Sequence, residues 1–144
     1  DITDAHVDSL VRFAASGAVL LDRAFPDTEP DHWSRSADQA KGVLNGATDA
    51  DDKPVKVVDL VQPDPDKMTG KGDAFLSTYL NFYVASKAVF IPKFGDAAAD
   101  DTAAQILRDA FPGREVVSVA IDAIASGGGG IHCATHDQPD LPIG

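Results

Sequence analysis

Tyr79-Leu80-Asn81-Phe82-Tyr83-Val84-Ala85-Ser86-Lys87-Ala88-Val89-Phe90-Ile91-Pro92 is the stretch from which the fold can be read. Two runs rich in β-branched and aromatic side chains flank Ser86-Lys87, the pattern of a hairpin with strands at 79–84 and 88–92. Downstream, 100–111 reads as a helix that starts near Asp100 or Asp101 and stops at Pro112-Gly113. Residues 115–120, Glu-Val-Val-Ser-Val-Ala, read as a closing strand. The unit is strand, strand, helix, strand.

Upstream the same order occurs once more. Apolar residues 10–15 and 18–22 flank Ser16-Gly17, 32–44 reads as a helix with Asp31 as N-cap and Gly46 as stop, and 55–60 reads as a strand. Arg12-Phe13 aligns with Asn81-Phe82, Ala18-Val19 with Ala88-Val89, and Val57-Val58 with Val116-Val117. The chain is therefore expected to be α/β (α+β) and built of repeated ββαβ modules, one over 7–62, one over 75–122 and the start of a third over 127–144. Between them, 63–72 is a polar loop rich in Pro, Asp, Lys and Gly, of a length that is often functional or mobile.

Composition narrows the function. The 144 residues hold 12 Lys plus Arg against 23 Asp plus Glu, a formal net charge of −11. That balance argues against nucleic acid, whose phosphates need a basic face, and suits a small cationic substrate drawn in by an acidic surface. No apolar run approaches the roughly 20 residues of a membrane span, so no membrane partner is expected. One cysteine excludes an internal disulfide and suits a reducing, cytoplasmic setting.

That cysteine sits in Ser126-Gly127-Gly128-Gly129-Gly130-Ile131-His132-Cys133-Ala134-Thr135-His136. Glycines allow close approach and unusual backbone angles, so Gly128, Gly129 and Gly130 form a candidate nucleophile loop presenting Cys133. His6 supplies an imidazole, and a thiol with an imidazole is the minimum for nucleophilic catalysis. Asp8, two residues on, would share a strand face with His6 and either orient it or bind a cation. Two other readings stand beside this one. A lone Cys is often a small buried hydrophobe. A metal could be held by His132, Cys133, His136 and His6, although neighbours on an extended segment point to opposite faces. A phosphate cradle lacks the Gly-Lys-Ser/Thr that should follow the glycines.

Taken together, Gly127-Gly128-Gly129-Gly130-Ile131-His132-Cys133, with Thr135 and Gln138-Pro139, resembles the terminal motif of the agmatine deiminases. Thr3-Asp4-Ala5-His6-Val7-Asp8 is similar to their Thr-Asp-Gly-His-x-Asp motif, with Ala5 in place of Gly. Tyr79-Leu80-Asn81-Phe82-Tyr83, Phe94-Gly95-Asp96 and Phe111-Pro112-Gly113-Arg114-Glu115-Val116 match further landmarks. The family includes the bacterial-type peptidyl-arginine deiminases and belongs to the guanidino-group-modifying enzymes. The resemblance implies a partial pentein-type propeller and hydrolysis of a guanidinium to a ureido group plus ammonia. Agmatine is the leading substrate, and peptidyl or free arginine the alternative.

It further implies Cys133 as nucleophile through an amidino-cysteine intermediate, His6 as acid and base, Asp8 and Asn81 as substrate-binding residues, and neither cofactor nor metal. A cysteine thiol ionises near about pH 8.5 in water, so activation by the bound cation is expected. Family members carry a long N-terminal half with a further acidic clamp, so the resemblance covers a C-terminal portion. That portion is expected to be inactive or weak without the N-terminal half or another chain, and a binding or assembly module is the reading from outside enzymology.

Overall fold

In a computed structural model that describes residues 6–15 and 17–138, the chain forms two three-stranded sheets. The first has the order β1 (Val11–Phe13), β2 (Ala18–Arg23), β3 (Lys56–Val61), and α1 (His32–Leu44) joins β2 to β3. The second has the order β4 (Tyr83–Val84), β5 (Ala88–Lys93), β6 (Glu115–Ala120), with α2 (Ala97–Ala110) joining β5 to β6. Each sheet pairs its first two strands antiparallel and its last two parallel. A parallel pair needs a crossover, which is why each helix lies between its strands in sequence. No described helix is long and apolar enough to cross a membrane.

Burial follows the central strands. Val19, Leu20 and Leu21 on β2, and Val89 and Ile91 on β5, are fully buried, as befits strands covered on both faces. One apolar core runs across the two sheets, from Leu20 and Leu60 through Tyr79, Leu80 and Phe82 to Ile91, Phe94, Leu107 and Phe111. On α2 the buried residues Ala103, Ala104, Leu107 and Ala110 recur at three- and four-residue spacing, and this stripe packs on β5 and β6 and reaches β3 of the other sheet. Small alanines let the helix approach closely. By contrast α1 buries only Ala37 and is held at its start by a reciprocal bond set between Asp31 and Ser34.

Several expectations need correction. Strand 79–84 shrinks to Tyr83–Val84, because residues 79–82 turn inward and spend their side chains on the core rather than on a ladder. The ladder also resets the repeat alignment. Phe13 pairs with Val19 and Val84 with Val89, so Phe13 corresponds to Val84 and not to Phe82. Helix α2 begins at Ala97 with Asp96 as N-cap, a turn earlier than expected, while Asp100 in its first turn accepts hydrogen bonds from the backbone of Phe94 and Gly95 and from the Tyr79 hydroxyl. Residues 7–9 form a single 3-10 turn just before β1, not the strand on which Asp8 was expected to share a face with His6. Ser16 of the first hairpin turn lies outside the described residues, as do Thr3, Asp4, Ala5 and Pro139 of the motifs quoted above. The polar loop is tied down at Thr69, whose backbone N–H donates to the Phe94 carbonyl and whose hydroxyl donates to Asp122.

A buried carboxylate joins the first sheet to the segment that leads into the second. Asp22 on β2 accepts hydrogen bonds from Gln62 and Thr78, each at 2.6 Å. Burial pushes its pKa up to about 6 against the pull of those two bonds and of nearby Arg23. A raised folded-state pKa means that the folded form binds the proton more tightly than the unfolded chain. Its contribution to stability is therefore full below about pH 4 and is lost as pH rises through about 6. In denaturant melts the stability of wild type relative to Asp22→Asn should fall by up to about 3 kcal/mol between pH 4 and 7, then stay level. A difference that is flat across that range would show that Asp22 does not titrate there.

Candidate active site

The site forms where three distant segments meet: the 3-10 turn Val7–Ser9, the inward turn at 79–82, and the glycine-rich stretch after α3 (Asp122–Ala125). At its base lies Asn81, fully buried. Its Oδ1 accepts from the backbone N–H of Cys133 at 3.2 Å, and its Nδ2 donates towards Cys133 Sγ at 3.2 Å and Asp8 Oδ2 at 3.2 Å. Its backbone carbonyl accepts from the His132 N–H at 3.1 Å. One residue thus fixes the backbone of 132–133 and touches both the thiol and the carboxylate. Asn81, expected as a substrate-binding residue, is fully buried and bonds to both Asp8 and Cys133.

The glycines follow from that packing. A Cβ on Gly130 would come within 2.4 Å of Asn81 Oδ1, so only glycine lets the loop pass over the amide. Gly128 has φ +81, the left-handed region that glycine enters without penalty. At Gly129 a Cβ would meet nothing nearer than 3.5 Å, so that position is not constrained in the same way. Beyond them, 131–134 is a turn closed by bonds from the Ala134 N–H to Gly130 and Ile131 and from the Thr135 N–H to His132.

That turn overturns the assumption of an extended segment. His132 and Cys133 approach the same carboxylate, with His132 Nδ1 2.6 Å from Asp8 Oδ2 and Cys133 Sγ 3.9 Å from that oxygen. A carboxylate only accepts, so His132 carries its proton on Nδ1. Asp8 Oδ1, by contrast, is buried and has no hydrogen-bond partner among the described residues. A desolvated carboxylate oxygen without a donor costs stability and is poised for a cation that brings one.

His6 is exposed, and its ring, an Asp8 oxygen and Cys133 Sγ lie within 4.8 Å of one another. They converge through the 3-10 turn, not through the shared strand face expected from the spacing. His136 stands apart from this group, its ring against the Asp137 carbonyl.

Two residues escaped the sequence reading. His132 drew notice only as a metal ligand, and nothing in its spacing reveals the bond to Asp8. Arg12, on β1, stacks its guanidinium 4.1 Å from the centre of the Phe82 ring and donates to the carbonyls of Leu80 and Phe82. It brackets Asn81 on both sides. Burial lowers the Arg12 pKa, while Asp8 and Asp137 oppose the shift. Position 12 offered no signal, because a lone Arg on an edge strand usually faces water.

The sequence profile of the Porphyromonas-type peptidyl-arginine deiminases matches residues 1–139. The agmatine deiminase of Medicago truncatula is 35% identical over 98% of this chain and 42% of its own length. The chain thus spans about two fifths of the length of the curated relatives it matches. Among solved structures, the agmatine deiminase of Enterococcus faecalis superposes with a TM-score of 0.74 at 27% identity, over 90% of this chain and 39% of that one. That of C. jejuni superposes with a TM-score of 0.71 at 20% identity over 91% and 38%, a likeness of fold.

The glycine geometry makes a paired prediction. Gly130→Ala should lower stability by roughly 1–3 kcal/mol, the range for a side chain forced into filled space. Gly129→Ala should stay within about 0.5 kcal/mol of wild type. Urea melts of both variants check this, and equal losses would contradict the close approach of Gly130 to Asn81.

Proposed function

The chain belongs to the Porphyromonas-type peptidyl-arginine deiminase family, and on that premise we propose that its residues hydrolyse a guanidinium group to a ureido group and ammonia. The observation that carries this reading is the convergence of His6, Asp8 and Cys133, with Asp8 Oδ1 buried and lacking a donor among the described residues. A guanidinium is planar and offers paired N–H groups, the geometry a carboxylate edge accepts. Asp8 would take those donors and hold the guanidinium carbon in front of Cys133 Sγ. The positive charge brought in beside the thiol favours its ionised form, so the substrate helps to activate its own nucleophile.

The steps then follow from the groups. The thiolate adds to the guanidinium carbon and forms a C–S bond. His6, as imidazolium, protonates the departing nitrogen, the C–N bond breaks and ammonia leaves, giving an amidino-cysteine. His6, now neutral, takes a proton from water as the water oxygen adds to the same carbon. Collapse breaks the C–S bond, frees the ureido product and returns the thiolate. Asn81 holds Cys133 by its backbone and its sulfur through both halves of the cycle, so it is a positioning residue. Gly128 and Gly130 let the loop adopt this path. No metal or cofactor enters this scheme.

Agmatine, giving N-carbamoylputrescine, is the leading substrate, supported by the names of the relatives in plants and bacteria. The peptidyl-arginine reading is favoured by the description of the family itself. In either case residues 7–62 and 75–122 are two modules of a larger propeller and 127–144 begins a third. Further parts of the whole protein, or another chain, complete the surroundings of the substrate.

The reading predicts selective alkylation. Chloroacetamidine, a cationic reagent with the shape of a guanidinium, should label Cys133 faster than neutral chloroacetamide does, followed by mass spectrometry. Asp8→Asn should reduce that preference about 10- to 100-fold, the worth of a charge-assisted hydrogen bond. A preference unchanged in Asp8→Asn would remove Asp8 from guanidinium binding, and no preference in wild type would favour a binding or assembly module over an enzyme.

A further inference from the structure

We propose that His6, Asp8 and Cys133 also form a site for one thiophilic divalent cation of the zinc class, whose binding holds the thiol out of reaction. Their ligand atoms already lie within 4.8 Å of one another, and Cys133 Sγ is 3.9 Å from Asp8 Oδ2. A tetrahedral zinc ion with ligands at about 2.0–2.3 Å keeps them roughly 3.3–3.8 Å apart. The site would therefore close on an ion by movements of about 1 Å. His6 is exposed and can supply most of that movement by ring rotation.

Asp8 is prepared for the ion in two ways. Oδ2 is oriented by His132 Nδ1 at 2.6 Å and by the Asn81 amide, the kind of outer support that ligating carboxylates require. Oδ1 is buried without a partner among the described residues, so a cation would relieve its desolvation. Imidazole, carboxylate and thiolate together suit zinc or cobalt and not magnesium or calcium, which prefer oxygen alone. Three protein ligands leave a fourth position for water, on the side where His6 and Cys133 are exposed.

Binding forms a metal–sulfur bond as the thiol proton passes to solvent, with no change of oxidation state. The carboxylate and thiolate charges then balance the ion. This ligand set replaces the one expected from sequence, as His136 has no part in it and His132 serves behind Asp8. The ion and a guanidinium would compete for the same carboxylate, so metal binding would act as a brake on the site. The inference does not rest on the deiminase reading, since the ligands are the same whatever the substrate.

Cobalt(II) tests it directly, because a thiolate ligand gives a near-ultraviolet charge-transfer band that carboxylates and water do not. Titrating the chain with CoCl2 should produce that band at one ion per chain, and ZnCl2 should abolish it while MgCl2 should not. Cys133→Ser should remove the band. His6→Ala and Asp8→Asn should each weaken binding about 10-fold or more, with circular dichroism reporting that the fold is kept. His6 is exposed, so its variant isolates the ligand effect from folding. Cobalt bound without the band would assign it to the acidic surface. A band indifferent to His6→Ala and Asp8→Asn would assign it to the sulfur alone. Either result overturns the proposal while leaving the alkylation preference to be judged separately.

Discussion

The site depends on a single buried carboxamide. Asn81 uses its oxygen, its amide N–H groups and its own backbone carbonyl to join segments that are 73 and 52 residues away in sequence. In a dry interior each such bond is stronger than in water, and each lost partner costs more. The amide therefore fixes a register that no apolar side chain of the same volume could specify. It tells the glycine-rich loop where to stop and the thiol which way to face. Arg12, stacked on Phe82 and bonded to the carbonyls on either side of Asn81, carries that register back to the first sheet.

Around this amide the polar groups divide into those already satisfied and one left open. Oδ2 of Asp8 is surrounded by the His132 ring, the Asn81 amide and the Cys133 sulfur, while Oδ1 faces none of them. The two oxygens of one carboxylate thus differ: one is held by hydrogen bonds and the other is buried without them among the described residues. A folded chain retains an unsatisfied buried acceptor only at a cost of about 1–3 kcal/mol. A cationic ligand that restores the missing donor would recover that energy on binding, and both the guanidinium and the metal readings draw on it.

The order of elements was legible from sequence because β2, β3, β5 and β6 are short apolar runs, and because α1 announces itself with Asp31 before it and Gly46 after it. The glycines and Cys133 were legible as a presenting loop, although only packing separates Gly130, pressed on Asn81, from Gly129. What could not be read had a common cause. Residues 79–82 have the composition of a strand, but tertiary burial of Tyr79, Leu80 and Phe82 draws them out of the sheet. The same burial places Asn81, expected at the site from the resemblance alone, beneath both Asp8 and Cys133. Likewise, His6 and Asp8 suggested a strand by their spacing of two, whereas Val7–Ser9 is a 3-10 turn and the two meet by another route. Periodicity reports local structure well where the sheet is regular, and fails where the chain leaves the sheet to build the site.

The central claim is that Asp8 and Cys133, both bonded to Asn81, take one cation between them. A crystal structure of the chain after alkylation of Cys133 with chloroacetamidine tests it most directly. The account predicts the amidinium lying against Asp8, with a nitrogen about 2.7–2.9 Å from Oδ1 and the Asn81 amide still bonded to the Cys133 backbone. An amidinium turned out to solvent, with Oδ1 still lacking a donor, would contradict it.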